Sequence, residues 1–289
     1  MKTNTLFFLI FILVTSCIAS HEYPTSFPRT LSLPFDNDTG VPTYYAAEVG
    51  EYSVGGFAID EDYNFYVLGS KPLILAKYTL EGNEIFRSSL DINLSGVVFV
   101  SEDSIFIFDY STNINNLYRI SARNGEVLDI YTHLTERRVN SYNFLDNLLI
   151  LHVFPPTGIM SINTKLDNLV YNLNGNYVQT ADNPYNIDEP NISYLDKSEF
   201  YSYLGMFKGD YLYHYWNIDT DEYILYLVNK NGSILKKAIL PTEIIGDMLY
   251  GGVHQFWSLK NNYLGILAKK DSKALISIYD LNSLLSLTK

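Results

Sequence analysis

The chain has a single cysteine, Cys17, so no disulfide can form within it. Its five histidines, His21, His133, His152, His214 and His254, are scattered, and no two lie at a local metal-ligand spacing. G-x-S-x-G and H-E-x-x-H are missing, as is a glycine-rich phosphate loop. The glycine pairs of Val54-Gly55-Gly56-Phe57 and Tyr250-Gly251-Gly252-Val253 stand at strand starts, where close backbone approach explains them. No cofactor is expected from these patterns. Positive charge is scarce: 20 Lys and Arg face 32 Asp and Glu, for a net charge of −12. Nucleic acid is therefore excluded as a natural partner, and adsorption to an anionic membrane is disfavoured. Long apolar runs are also wanting. The longest, residues 6–14, has nine residues, against the ~20 needed to cross a bilayer core.

That run has another meaning. It follows Lys2 and leads into Thr15-Ser16-Cys17, the order of charge, apolar core and small residues that marks an export signal. Val14-Thr15-Ser16-Cys17 resembles the lipobox of bacterial lipoproteins. The resemblance implies cleavage between Ser16 and Cys17, a lipid on Cys17 and acylation of the new amino end. Several acyl chains on one residue anchor firmly, whereas one chain does so marginally. Ile18, not Asp, follows the cysteine, which by the enteric sorting rule favours the outer membrane of a Gram-negative cell envelope. The alternative is ordinary cleavage near Ala19 or Ser20, with Cys17 discarded. The solitary cysteine speaks against it, because a lone exported thiol needs a role.

Residues 17–42 carry Pro24, Pro28, Pro34 and Pro42 among Thr, Ser, Asp and Asn, the composition of a tether. Thr30-Leu31-Ser32-Leu33 alternates within it like a strand. Residues 43–289 form the expected domain. Short runs of Tyr, Phe, Ile, Leu and Val, separated by Gly, Asn and Asp, predict an all-β protein. The runs fall into groups of four: 53–59, 65–68, 73–80 and 84–90; then 96–100, 105–109, 117–121 and 127–133; then 141–144, 148–154, 158–162 and 169–173. Two more groups follow: 201–207, 211–216, 224–229 and 234–240, then 252–259, 263–268, 274–281 and 284–287.

The turn before each fourth strand sets the register. Gly82, Gly125 and Asn168 are 43 residues apart, and Gly232 follows after 64. The excess is assigned to an insertion at residues 174–197. Four strands repeated every ~43 residues predict a β-propeller of four-stranded blades. The count is five to six blades, because strands at 30–33 and 43–49 either complete the last blade by strand exchange or belong to a sixth. A β-sandwich, or a pair of smaller β-domains, is the alternative fold.

Phe57-Ala58-Ile59-Asp60, Asn64-Phe65-Tyr66-Val67, Lys77-Tyr78 and Glu81-Gly82-Asn83-Glu84 resemble blades of NHL-like propellers and of the six-bladed-propeller lipoproteins of Bacteroidetes. The resemblance extends over residues 53–287 and is closest in the first group. It implies an envelope protein built as a rigid propeller.

Few residues point to chemistry. Asp60-Glu61-Asp62-Tyr63-Asn64 has the alternating oxygens of a calcium loop but lacks its Gly and terminal Glu, so an Asx-type turn is preferred. Asp219-Thr220-Asp221-Glu222 is read in the same way. Most of the aromatic content, 15% with 25 Tyr, is expected to pack the blades, but some rings fall outside strand interiors. Tyr177, Tyr185, Tyr194, Trp216 and Trp257 are therefore candidate binding residues near strand ends or in the insertion. The expected function is binding or scaffolding of a protein or glycan partner, with the membrane reached through the lipid. The alternative is a lactonase-like hydrolase with an axial metal, for which Asp60, Asp103, Asp109 and Asp247 are the carboxylates to try.

Overall fold

The computed structural model describes residues 29–46, 51–70, 73–92, 98–109, 115–145, 147–155, 166–181, 200–217, 220, 222–240, 257–271 and 273–286. Cys17 and the rest of the export signal lie outside them.

The chain enters with β1 (Arg29–Pro34) and a short hairpin of β2 (Tyr44–Ala46) and β3 (Glu51–Ser53). Blade 1 is β4 (Gly56–Ile59), β5 (Phe65–Ser70), β6 (Leu73–Tyr78) and β7 (Glu84–Ser89). Blade 2 is β8 (Val98–Ser101), β9 (Ser104–Asp109), β10 (Asn116–Ser121) and β11 (Val127–Tyr131). Blade 3 is β12 (Val139–Leu145), β13 (Leu148–Val153), β14 (Asp167–Asn172) and β15 (Tyr177–Ala181). Blade 4 is β16 (Phe200–Phe207), β17 (Asp210–Asn217), β18 (Glu222–Val228) and β19 (Ile234–Leu240). Blade 5 takes β20 (Trp257–Lys260), β21 (Tyr263–Lys270) and β22 (Lys273–Asp280) from the C-terminal end, and β1 as its fourth strand. Every pairing within a blade is antiparallel, and the five blades make a β-propeller.

Blade 5 resolves the choice between five and six blades. Arg29 pairs with Ile278 and Pro34 with Lys273, so the N-terminal strand closes the ring. The fourth strand expected at 284–287 does not form. Instead, Asp280 caps a four-residue helix, α1 (Leu281–Leu284), by accepting from the amides of Asn282 and Ser283. Leu281 and Leu284 turn into the core, and the place left beside β22 is taken by β1.

Blade 3 also departs from the expected register. Its third strand is β14, and its fourth is β15, which lies within the stretch read as an insertion. The turn equivalent to Gly82 and Gly125 is therefore at Gly175, not at Asn168. These turns share one construction. Gly82, Gly125, Gly175 and Gly232 all have positive φ, and the pairing of third with fourth strand slips at Lys77/Tyr78, Arg119/Ile120, Val170/Tyr171 and Leu227/Val228. Each is a bulged hairpin in which glycine supplies the left-handed residue. The glycine also permits close packing between blades: a Cβ on Gly175 would stand 2.6 Å from Tyr131 of blade 2. The remainder of the insertion, 182–197, lies outside the described residues.

The middle strands are buried because blades cover both of their faces. All six residues of β6 and of β9 are buried, which explains why these strands read as unbroken apolar runs. One core cluster joins blades 4, 5 and 1 through Phe57, Phe65, Leu225, Trp257 and Ile266. Others join blade 1 to blade 2 and blade 2 to blade 3. Complete burial of one such side chain contributes roughly 1.5–3 kcal/mol.

Candidate functional site

In blades 1 to 4 the turn between first and second strands lies at the same end as the turn between third and fourth strands. In blade 1, Phe65 at the start of β5 pairs with Tyr78 at the end of β6. Both kinds of turn therefore share one face of the propeller. On that face a cavity of about 360 Å³ opens between the turns of blades 5, 1 and 2. Its charged lining is Asp60, Glu61, Asp62 and Lys77 from blade 1, Glu102, Asp103 and Arg123 from blade 2, and Lys260 from blade 5.

Asp60 organises the blade 1 wall. Its Oδ1 accepts from the amides of Asp62 (3.0 Å) and Asn64 (2.9 Å). Its Oδ2 accepts from the hydroxyl of Tyr66 (2.9 Å) and from Asn64 Nδ2 (3.0 Å). Tyr63 takes a positive φ to complete the turn. This is the Asx-type turn expected from the sequence, and its carboxylate is engaged by donors of its own loop.

Lys77 rises from buried β6 toward this carboxylate. Its ammonium lies 3.3 Å from Asp60 Oδ2, donates to the Ala122 carbonyl of blade 2 (3.0 Å) and sits 4.9 Å from the centre of the Tyr66 ring. The lysine and aspartate side chains are only 11% and 12% exposed, so solvent screens the pair weakly. Burial, then the neighbouring Asp60 charge, pushes the Tyr66 hydroxyl pKa far up, and the group remains a neutral donor.

The rest of the cavity is less satisfied internally. Lys260 reaches Glu61 (3.5 Å) and the Val100 carbonyl (3.5 Å). Among the described residues, the side chains of Asp62, Glu102, Asp103 and Arg123 have no ion pair or hydrogen bond within the protein. The site thus combines a fixed pair at its base with free carboxylates and a guanidinium at its rim. Such an arrangement can bind a charged partner by complementarity. Among the described residues no three His, Cys, Asp or Glu are grouped to hold a metal ion.

Of the carboxylates considered for an axial metal, Asp60 and Asp103 meet at this cavity. Asp109 is buried at the other end of β9, on the opposite face, and Asp247 lies outside the described residues. The aromatic candidates are not gathered. Tyr177 is exposed on β15, its hydroxyl bonded to Thr180 (2.7 Å). Trp257 is packed between blades, 4.2 Å from the His214 ring, so it belongs to the core. Trp216 lies on β17, while Tyr185 and Tyr194 lie outside the described residues, as do Ser16 and Cys17. From sequence, Lys77 stands out only as part of a blade motif, and Glu102, Arg123 and Lys260 do not stand out at all. The signal for Lys77 was available: it is the one charge in the buried run Leu73-Ile74-Leu75-Ala76-Lys77-Tyr78.

No protein-family model matches the chain, and no curated protein matches it. Solved structures with a similar arrangement of strands include a Bacteroides fragilis protein described as exported, at 11% identity and a TM-score of 0.44, covering 88% of this chain and 94% of that one. BamB from Moraxella catarrhalis aligns at 11% identity and a TM-score of 0.36, over 88% of this chain and 98% of its own. A protein of unknown function from Bacteroides caccae aligns at 14% identity and a TM-score of 0.37, over 83% and 82%. At such identities the likeness concerns the fold alone.

Proposed function

We propose that the chain is a lipid-anchored β-propeller of a bacterial cell envelope that works as a binding or scaffolding module. Anchoring rests on Cys17, the only cysteine, placed after an apolar run and two small residues. Binding rests on one observation above the rest, the cavity shared by blades 5, 1 and 2, where the side chains of Asp62, Glu102, Asp103 and Arg123 make no ion pair or hydrogen bond among the described residues and stand beside the Asp60–Lys77 pair. A propeller holds such groups in fixed positions because each turn is pinned by a packed blade, so little order has to be gained on binding. The partner is a protein or glycan carrying groups complementary to these charges, and the outer membrane is the compartment favoured by Ile18 after the cysteine.

Two measurements test the reading separately. In a Gram-negative host, labelled palmitate should enter the wild-type chain and not Cys17→Ser; equal labelling sinks the anchor. Crosslinking in intact envelopes should capture a partner with the wild-type chain and lose it with Glu102→Lys/Asp103→Lys, both rim positions. Capture that is unchanged by these substitutions moves the binding site elsewhere.

A further inference from the structure

The chain enters the propeller on the same face as the cavity. β1 runs antiparallel to β22, with Arg29 opposite Ile278 near the end that leads into Asp280 and α1. Arg29 pairs with Glu81 in the third turn of blade 1 at 3.7 Å. Leu31 and Leu33 lie against Gly82 of the same turn. The turns that line the cavity, at Asp60–Asp62, Glu102–Asp103, Ala122–Arg123 and Lys260, stand at this end of their blades.

Resting on the lipid-anchor reading, we infer that this face is the membrane-proximal face of the propeller, so that the cavity meets partners borne by the same bilayer. The tether is short. Arg29 comes twelve residues after Cys17, a reach of about 40 Å at full extension. Turning the opposite face to the bilayer would make the tether run back along the blade. The eight residues of β21 alone span about 25 Å, which would take up more than half of the greatest reach the tether has. Charge does not hold the face down: the cavity lining has five carboxylates against three cations, and anionic head groups repel it. Proximity therefore comes from chain connectivity, and the face is left open for a membrane-borne protein.

Asn262 and Lys270, both exposed, stand at opposite ends of blade 5, one just before β21 and the other at its end. With Cys17 lipidated, Asn262→Cys and Lys270→Cys each offer one free thiol for a fluorescent donor. The lipidated full chains, reconstituted in vesicles with acceptor-labelled head groups, should show transfer at least about twofold stronger from position 262, given a height difference of about 25 Å. Equal transfer, or stronger transfer from 270, overturns the orientation while leaving the anchor standing. Chains that fail to float with the vesicles overturn both. The Cys17→Ser chain should not co-sediment with anionic vesicles; if it does, the face adsorbs to lipid and the tether argument fails.

Discussion

Lys77 Nζ stands 3.3 Å from Asp60 Oδ2, and the same ammonium donates to the Ala122 carbonyl of the next blade. One side chain thereby ties the first turn of blade 1 to the third turn of blade 2. Lys77→Met should leave the Asp60 carboxylate shielded from water without its cation, and Asp60→Asn should strand the ammonium. Each single change should cost about 2–4 kcal/mol, near the lower end of values for broken buried pairs because some exposure remains. The double change should cost less than the sum of the two. Urea unfolding of all three variants measures the coupling. Additive losses would show that the two groups stabilise the fold independently.

A second junction joins the entering chain to blade 1. Arg87 donates to the Asn37 carbonyl (2.8 Å) and the Gly40 carbonyl (2.6 Å), contacts the Tyr78 hydroxyl (2.8 Å) and pairs with Glu84 (2.6 Å). Only a planar fork of donors reaches this set at once. Arg87→Lys should therefore behave nearly as poorly as Arg87→Ala, each losing about 2–3 kcal/mol, since bonds to charged donors are worth about 1.5–3 kcal/mol. Limited proteolysis should then cut between residues 36 and 42 faster than in the wild type. Full retention of protection in Arg87→Lys would assign the stability to charge alone.

The strand rhythm, all-β class and blade architecture were legible because blades 1 to 4 repeat one constraint: two apolar middle strands packed between blades, ending in a glycine turn. Register failed where that constraint was relaxed. In blade 3 thirteen residues separate β13 from β14, and counting residues 158–162, which lie outside the described residues, as a strand pushes Tyr177–Ala181 into the insertion. In blade 5 the motif ends normally at Asp280, yet the fourth strand is supplied by residues 29–34, a pairing of distant segments to which local pattern is blind. The cavity escaped for the same reason. Asp60 was visible as a turn residue, but its neighbours Glu102, Arg123 and Lys260 come from other blades.

The corrected register changes the outcome of a deletion. Removing residues 185–195 should leave a folded propeller, with thermal stability within a few degrees of wild type, because β15 ends at Ala181 and seven residues then join it to β16, as seven join blade 2 to blade 3. Removing 174–197 takes Gly175 and all of β15 and exposes Val170 and Tyr171, now buried at 2% and 4%. That chain should lose cooperative unfolding or aggregate. Circular dichroism melts of the two deletions distinguish the registers; equal tolerance of both would place β15 outside the fold.

Closure by β1 should be equally sensitive. Leu31 and Leu33 pack against the cluster that joins blades 4, 5 and 1, and Leu33 pairs with fully buried Ala274 on β22. Leu33→Asp sets a charge against this cluster and should cost about 2–4 kcal/mol, comparable to large core losses. Ser32→Asp, on the exposed face of the same strand, should cost less than about 0.5 kcal/mol, as ordinary surface changes do. Similar losses from both would indicate that strand pairing, not the apolar face, holds the ring shut.

Alkaline pH should loosen the protein through its buried tyrosines. Burial raises the Tyr78 hydroxyl to about 12, with Glu84 also raising it and Arg87 opposing the shift. Burial raises Tyr66, Tyr171 and Tyr279 as well. A group whose folded pKa lies above its unfolded value gives stability that is complete below the unfolded value, near 10, and is lost as pH rises toward the folded one. Stability should therefore be flat up to about pH 9 on this account and fall between about pH 10 and 12, by roughly 2–3 kcal/mol for Tyr78 alone. Tyr78→Phe should be less stable than wild type at pH 7, because Tyr78 donates to the Gly40 carbonyl (2.5 Å) and accepts from Arg87 (2.8 Å). It should nevertheless lose less stability than wild type over that alkaline window. Urea midpoints taken every half unit from pH 8 to 12 would reveal the crossing of slopes. Parallel curves for the two proteins would mean that Tyr78 ionises in the folded state as readily as in the unfolded chain, and that the hydroxyl is not sealed between blade 1 and the entering loop.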